Sequence, residues 1–288
     1  MGIAITGGNG EFGRAVLAQL LAQSQSRAQE PVVATVRDIS KADKRPGVDY
    51  RPGDFDDPVT LRSSLAGVDT VLVNATFFGA DPSLRLPRVT AAIDAATSAG
   101  VRRIVLTSWP RLEKATMPSV QNYRELEAVL KAAGPAWTIV RLNIGLADAL
   151  ARDVVWGRQM GEIVAPARGA SAAPAAISDL AAATAIALAS PQHEGEVLEL
   201  TGPDELDWND LAAAAGVPFR VVSDQEYTAY LTEKFGLPPE TAALLTALYT
   251  DFREGRSSTA GTLADLLGRA AVPGIEAVKA RVAVFPTR

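Results

Sequence analysis

The sequence predicts an α/β fold, a doubly wound parallel sheet, with a smaller and mainly helical lobe toward the C-terminus. Short β-branched runs alternate with longer helical patterns as far as Thr201, and a glycine loop follows the first run. Beyond Thr201 the alternation stops and helical patterns dominate. Strands separated by helices in this order run parallel, with right-handed crossovers and helices on both faces of the sheet.

The elements of the sheet follow one another along the chain. Strands are predicted over 3–6, 32–36, 48–51, 71–74, 104–107, 138–141 and 197–200, and helices over 11–23, 58–65, 87–99, 120–133 and 178–189. Asp57 offers a capping carboxylate, and Pro58 then takes the first helical position. Gly67, Gly100 and Gly134 stand where helices should stop.

The C-terminal part of the chain is too long for a linker and too helical to extend the sheet. Helices are predicted over 207–215, 224–235, 239–254 and 274–281, with one short strand over 219–222. We therefore predict a dinucleotide-binding domain over 1–144 and 177–201, and a substrate-binding lobe over 145–176 and 202–288. The lobe should cover the carboxyl edge of the sheet, where ligands of such folds bind.

Composition excludes several kinds of site and partner. The net charge of −5 argues against a nucleic acid or membrane partner. No cysteine is present, and the single histidine, His193, lies in a turn-like segment, so a zinc–thiolate site or a Ser-His-Asp hydrolase is not expected. The N-terminus runs straight into the first strand without a secretory signal pattern, which predicts a cytoplasmic location.

The glycine loop between the first strand and the first helix carries the strongest functional signal. Gly7 permits a tight turn, Gly10 lets the backbone approach a pyrophosphate, and Gly13 allows close packing of helix and strand. The phosphates would meet the amino end of the helix. The residues predicted to bind the dinucleotide here are Thr6, Gly7, Asn9, Gly10, Glu11, Phe12 and Gly13.

The end of the second strand separates NAD from NADP, because an NAD site usually places a carboxylate there. This chain has Arg37 at that point and Lys41 shortly after. An arginine can donate two hydrogen bonds to the 2′-phosphate and stack on the adenine. Asp38 lies beside Arg37 and could engage a ribose hydroxyl instead. We favour NADP(H) as the cofactor.

The segments that follow the third and later strands complete the predicted site. Asp54 and Phe55 follow the third strand; Asp54 could receive the adenine amino group or equally cap the next helix. Further positions are expected beneath the ribose and nicotinamide or along the substrate cavity. They are Ala75, Thr76 and Phe77 for the cofactor, Phe78, Trp109, Tyr123, Asn143 and Ile144 for the substrate, and Ser108 and Tyr123 for catalysis.

These motifs together resemble the NmrA-like group of atypical short-chain dehydrogenase/reductases, closest to the branch of NAD(P)H-dependent quinone oxidoreductases and triphenylmethane reductases. The segment 5–13 resembles the family's TGATGxxG, 36–38 its VRN and 53–58 its GDYDDP. The segment 100–108 resembles GVKHIVYTS, and GLP and LLGR positions recur at 236–238 and 266–269. The resemblance implies a Rossmann-type domain that binds NADPH, and a substrate cleft beside the C-terminal lobe.

The conventional proton relay of short-chain dehydrogenases is not expected here. It needs a lysine four residues after the tyrosine, and this chain has Glu127 four residues after Tyr123. A carboxylate there should raise the pKa of the tyrosine and supplies no cation. Ser108 could donate a hydrogen bond to the substrate or equally cap the backbone.

Quinones and triaryl cations accept hydride readily, and the reduced quinone can take its proton from water. The first hypothesis is therefore an NADPH-dependent reductase of quinone-like or extended aromatic acceptors. A redox-sensing regulator that binds the dinucleotide without turnover, and a non-redox cyclase or isomerase on the same fold, remain alternatives. A homodimer is also considered.

Overall fold

The computed structural model describes residues 2–24, 31–75, 81–115, 118–255, 257 and 261–285. The chain divides into two compact units. The first comprises Met1–Leu112, Pro118–Leu142 and Ile177–Glu199, and the second comprises Glu113–Met117, Asn143–Ala176 and Leu200–Arg288. In the described part of the chain, no helix has the length and apolar character needed to cross a membrane.

The strands are numbered β1 to β11 in chain order. They are β1 Ile3–Thr6, β2 Val32–Val36, β3 Val48–Pro52, β4 Thr70–Val73, β5 Arg103–Ser108, β6 Ala136–Leu142, β7 Ile163–Ala165, β8 Ser171–Ala172, β9 Val197–Leu200, β10 Leu206–Asp207 and β11 Phe219–Val221. The helices are α1 Glu11–Ser24, α2 Pro58–Ser64, α3 Arg85–Ser98, α4 Pro118–Ala132, α5 Leu146–Met160, α6 Ile177–Ala189, α7 Trp208–Ala215, α8 Asp224–Phe235, α9 Pro239–Arg253, α10 Leu263–Leu267 and α11 Gly274–Val284.

The first unit is built on a seven-stranded sheet in the order β3-β2-β1-β4-β5-β6-β9. The five pairings from β3 to β6 are all parallel. Strands β1, β2, β4 and β5 are buried along their whole length, as expected where helices cover both faces of a sheet. This arrangement confirms the predicted doubly wound α/β class, and the strand order reverses between β1 and β4, the switch point where such sheets bind ligands.

The helix boundaries follow the expected chemistry at most ends. The side chain of Asp57 caps α2 by accepting from the Thr60 amide, and Pro58 takes the first turn, as predicted. Gly100 follows α3 with φ of 81°, a conformation that favours glycine. Helix α3 begins at Arg85, two residues before the predicted start, because a proline in the first turn, here Pro87, loses no hydrogen bond within the helix.

The second unit is mainly helical but contains two small sheets, formed by β10 with β8 and by β11 with β7. Of the strands in this unit only β11 was predicted from the sequence, and α5 was not predicted. Helix α5 starts after Gly145, which has φ of 86°, and it packs against α7 and α11.

Its buried face includes Asp153, whose carboxylate accepts hydrogen bonds from Trp208 Nε1 at 2.9 Å and from the Tyr249 hydroxyl at 2.5 Å. A carboxylate in an apolar interior needs such donors.

Candidate functional site

The glycine loop after β1 leaves room for a ligand's phosphates. Gly7 has φ of 69°, and the Gly10 amide donates to the Gly7 carbonyl at 2.9 Å, which closes the turn. A Cβ on Gly13 would lie 2.4 Å from the Gly7 carbonyl oxygen, so the close approach of helix and loop requires glycine there. Gly10 is exposed, and a Cβ there would meet only that same oxygen, at 3.2 Å. The backbone therefore forms a cradle that suits a pyrophosphate.

The side chain of Asn9 connects the glycine loop to the segment that follows β2. Asn9 Nδ2 donates to the carbonyl of Lys41 at 3.4 Å, which ties the glycine loop to the segment after β2. Its Oδ1 is buried and has no partner in the described part of the chain. A buried acceptor without a donor is uncommon, and a bound ligand could supply that donor.

Two of the residues predicted to bind the dinucleotide direct their side chains into the protein. Thr6 is fully buried, and its hydroxyl donates to the Leu72 carbonyl at 3.0 Å and accepts from the Asn74 amide at 2.9 Å. Phe12 is also buried, at 4% exposure. At these positions only the backbone can meet a cofactor.

The segment after β2 presents a free guanidinium. Arg37 is exposed, and no side chain in the described ranges forms a hydrogen bond with it. Asp38 is occupied within its own turn, where it accepts from the Ser40 amide at 2.9 Å and lies 3.4 Å from Lys41 Nζ. The hydrogen bonds from Ser40, with a contribution from Lys41, lower the pKa of Asp38. The carboxylate beside Arg37 is thus already partnered, which favours Arg37 as the phosphate ligand.

The segment after β3 places further charges near Arg37. Asp54 does not cap α2, because Asp57 is the capping residue. Instead, Asp54 Oδ1 accepts a hydrogen bond from the Asp56 amide at 3.1 Å within a turn. Asp56 binds Arg88 of α3 through Nε at 2.7 Å. This hydrogen bond is the main cause that lowers the pKa of Asp56, and the charge of Arg37 adds to it. Phe55 is half-buried beside this turn.

Threonine hydroxyls organise the end of β4. The Thr107 hydroxyl accepts from the Ala75 amide at 2.7 Å and donates to Asn74 Oδ1 at 3.2 Å. Ala75 is fully buried at this point. Thr76, Phe77 and Phe78, also predicted as cofactor and substrate contacts, lie outside the described residues.

A buried polar network follows β5 and was not predicted. Ser108 donates to Glu127 Oε1 at 2.6 Å, and both residues are at most 5% exposed. Arg141 of β6 binds both oxygens of Glu127 at 2.9 Å and Glu199 of β9 at 2.8 Å. Burial alone would lower the pKa of Arg141. The hydrogen bonds and charges of Glu127 and Glu199 outweigh this effect, so the pKa of Arg141 is raised overall.

This network corrects two expectations for the site. The Ser108 hydroxyl donates its hydrogen bond to Glu127. It was expected either to donate to the substrate or to cap the backbone, and the structure shows neither role. Glu127 was expected to raise the pKa of Tyr123, yet its carboxylate is held by Arg141 and Ser108. The pKa of Tyr123 is raised, but burial is the cause.

Tyr123 lies on α4 and is 3% exposed. Its ring is 6.1 Å from that of Trp109, the residue that follows β5. The guanidinium of Arg85, the first residue of α3, stands 4.5 Å from the centre of the tyrosine ring. Glu127 supplies no cation, as its chemistry implies, but Arg85 brings one to the Tyr123 ring from a different helix.

The remaining predicted substrate contacts follow β6 and belong to the second unit. Asn143 is buried, and its Nδ2 donates to the Ala173 carbonyl at 2.5 Å. Its Oδ1 is buried without a partner in the described part of the chain. Ile144 is half-buried. Their contact with a substrate stays a prediction.

The fold and the glycine cradle define a dinucleotide-binding α/β protein. The chain belongs to the NAD(P)H-binding family, whose model matches residues 7–184. It is 30% identical to the NAD(P)H azoreductase of Xenophilus azovorans over 98% of this chain and 99% of the relative.

Two solved structures cover nearly the whole chain. The triphenylmethane reductase of Citrobacter sp. superposes with a TM-score of 0.88 at 24% identity, over 98% of this chain and all of that one. The NADPH-dependent quinone oxidoreductase of Escherichia coli, complexed with NADPH, superposes with a TM-score of 0.86 at 25% identity, over 99% of this chain and all of that one. The matches confirm the predicted resemblance to the NmrA-like quinone oxidoreductase and triphenylmethane reductase branch, and with it the class of NAD(P)H-dependent oxidoreductases.

Proposed function

We propose that this protein is an NADPH-dependent reductase that transfers hydride to a quinone-like or extended aromatic acceptor. The observation that carries the proposal is the exposed guanidinium of Arg37 at the end of β2, beside a glycine cradle in which Gly10 is exposed. Arg37 would bind the 2′-phosphate, and the cradle would hold the pyrophosphate. When bound, the cofactor supplies the hydride.

The kind of acceptor follows from what the site offers. Glu127, which stands where a conventional short-chain dehydrogenase has its lysine, is consumed in the network with Ser108 and Arg141. A ketone needs a positioned acid as hydride arrives, whereas a quinone accepts hydride readily and takes its proton from water. The names of the relatives, a quinone oxidoreductase and an azoreductase, support acceptors of this kind.

The sensor alternative loses one of its two supports. The sequence features that favoured a regulator without turnover were Glu127 in place of the lysine and the lack of an obvious acid. The structure pairs Glu127 with Arg141 and Ser108, which gives this glutamate a structural role.

A screen of acceptors tests the proposal. The purified protein is incubated with NADPH or NADH and each of a set of quinones, azo dyes and triarylmethane dyes, and nicotinamide absorbance is followed. We expect oxidation of NADPH with at least one quinone, and a much lower rate with NADH. Tight binding of NADPH without its oxidation by any of these acceptors would contradict the proposal and favour the regulator. Conversion of an added substrate without nicotinamide oxidation would favour the non-redox enzyme.

A further inference from the structure

The segment that follows β5 has an unusual backbone conformation. Among the described residues other than glycine, Arg111 alone has a positive φ, 47°. A side chain makes this left-handed region costly, and such residues persist only where the surrounding structure holds them, most often at functional sites. The carboxyl end of β5 is also where ligands of this fold bind. The contacts that hold Arg111 therefore bear on the site.

The backbone of Arg111 is bound by a carboxylate from β9. Its amide donates to Glu199 Oε2 at 3.0 Å. The other oxygen of Glu199, Oε1, accepts from Arg141 Nη1 at 2.8 Å, and Arg141 in turn binds both oxygens of Glu127 at 2.9 Å. Hydrogen bonds to an ionised acceptor are stronger than those between neutral groups. Glu199 is thus fixed by an ion pair at one oxygen and fixes the backbone of Arg111 with the other.

The same network holds the rest of the segment 108–112. Ser108, the last residue of β5, donates to Glu127 Oε1 at 2.6 Å. The carbonyl of Leu112 accepts from Arg124 Nη2 at 2.6 Å. The segment is therefore held at three points, two on α4 and one on β9.

Trp109 lies between these points and is half-buried. One side of its ring is supported by Tyr123, with 6.1 Å between the ring centres. An indole ring offers a large apolar face on which another flat ring can stack. A surface that is rigid before binding loses less conformational freedom when the ligand arrives. The anchored segment thus presents Trp109 as a preorganised aromatic face.

We propose that Glu199 is a positioning residue for the acceptor: by holding the left-handed backbone of Arg111, it keeps Trp109 in the orientation on which a flat aromatic acceptor stacks. The inference rests on the proposed reductase function and deepens it, because it names a residue on which affinity for the acceptor depends. Glu199 acts only through the segment 108–112. Without Glu199 the segment spends less time in the binding-competent conformation, and the apparent affinity falls by the same factor.

Glu199→Leu tests the proposal, because it removes the acceptor of the Arg111 amide and leaves Arg141 paired with Glu127. Kinetics are measured with saturating NADPH and varied menadione, at a temperature at which every variant is fully folded. We expect the KM for menadione to rise on the order of 10-fold, while kcat stays within about twofold. Glu199→Gln keeps one oxygen for the Arg111 amide, so its KM should rise only about threefold.

The matched control is Glu196→Gln. Glu196 directly precedes β9, and its exposed carboxylate pairs with His193 at 2.8 Å. The substitution removes the same charge three positions away and should leave the KM for menadione unchanged. A fall in kcat with an unchanged KM in Glu199→Leu would mean that Glu199 is merely structural, and would overturn the inference.

Arg111→Gly separates the backbone conformation from other effects of losing Glu199. Glycine adopts the left-handed region freely, so the segment should no longer need the carboxylate. In a double-mutant cycle, Glu199→Leu should raise the KM about 10-fold in the unmodified protein but less than about threefold in the Arg111→Gly protein. Equal increases in the two proteins would overturn the inference. If Glu199→Leu does not fold, Glu199→Gln takes its place, and its smaller increase in KM should disappear in the Arg111→Gly protein.

Binding supplies a readout that does not depend on turnover. Calorimetric titration with menadione, in the presence of NADP⁺, should show about 10-fold weaker binding to Glu199→Leu and unchanged binding to Glu196→Gln. This pattern in a protein that does not oxidise NADPH would contradict the proposed function and still support the role of Glu199. Equal affinity of the unmodified protein and Glu199→Leu for menadione would overturn the inference, whatever the outcome for the reductase function.

Discussion

The two halves of the sheet's carboxyl edge in the first unit are built on different principles. Around β1, β2 and β3 the site is made of backbone conformation and exposed charge, with a glycine cradle and the free guanidinium of Arg37. Around β5 and β6 it is made of buried, mutually bonded polar groups, with Arg141 at the centre. The first half is suited to capture an anionic ligand from solvent, and the second to hold fixed charges where water is scarce. We therefore expect mutations in the second half to lower the free energy of unfolding, and mutations in the first half to weaken the binding of NADPH.

The largest effect is expected from Arg141→Met. It leaves Glu127 and Glu199 without their shared cation, and breaking a buried ion pair costs about 3–5 kcal/mol. Urea denaturation followed by circular dichroism measures the loss. Arg220→Met removes one partner of an exposed pair with Glu162 and should cost about 1 kcal/mol or less. Losses of the same size in both variants would mean that the network does not stabilise the first unit.

Gly10→Val tests the first half directly. The valine side chain would project from the exposed side of the cradle, where it meets only the Gly7 carbonyl, so the protein should fold normally. NADPH affinity should fall at least ~100-fold, because the pyrophosphate can no longer approach the backbone. Calorimetric titration and a thermal melt measure the two properties separately. Gly13→Ala is the contrasting variant, since its Cβ would press on Gly7 at 2.4 Å and should lower stability. A folded Gly10→Val protein that binds NADPH normally would remove the cradle from the site.

Arg37→Ala should weaken NADPH binding by roughly 1.5–3 kcal/mol, the range for charge-assisted hydrogen bonds, and leave NADH nearly unchanged. Lys41→Ala is the natural control on the same segment, because Lys41 is already paired with Asp38 and should contribute less. Isothermal titration with both dinucleotides gives the comparison. Equal losses for NADPH and NADH in Arg37→Ala would exclude contact with the 2′-phosphate.

The smallest loss of turnover is expected from Tyr123→Phe. Burial raises the pKa of Tyr123 above its ordinary value, so the hydroxyl stays protonated through neutral and mildly alkaline pH. It can donate a hydrogen bond but is a poor proton donor, and the variant should lose much less than the ~10²–10⁴-fold typical of general acid catalysis. Steady-state kinetics of both proteins across pH should give parallel profiles. A loss beyond about a thousandfold with intact NADPH affinity would identify Tyr123 as the acid.

Glu127→Lys, which restores the cation of the conventional motif, should not create ketone reductase activity. Lysine at this position would face Arg141, and the two positive charges would repel each other within the buried network. Rates with simple ketones measure this. Appearance of such activity would mean that the site is already shaped to place a carbonyl.

The same contrast explains what the sequence could predict. The sheet, the glycine loop and the cap at Asp57 follow from short-range patterns, and the structure has each of them. The partners of Glu127 lie 14 and 19 positions away on other elements, and Arg85 meets Asn122 across 37 positions, so no local pattern reveals them. One signal was available: Arg141 and Glu199 are charges inside otherwise apolar strands, which usually indicates a buried pair. A second signal was also available, because Ala147, Leu150, Ala151 and Val154 recur at helical spacing on the buried face of α5.

An anaerobic titration tests the central claim, hydride transfer from NADPH to an acceptor, most directly. The protein is given a limiting amount of NADPH and an excess of menadione, and both the oxidised nicotinamide and the reduced quinone are quantified. We predict one menadiol formed for each NADPH consumed, with the Arg37→Ala variant slowed at low NADPH but unchanged in stoichiometry. Two results would contradict this claim. One is NADPH that stays reduced when both the protein and menadione are present, and the other is oxidation of NADPH without formation of menadiol.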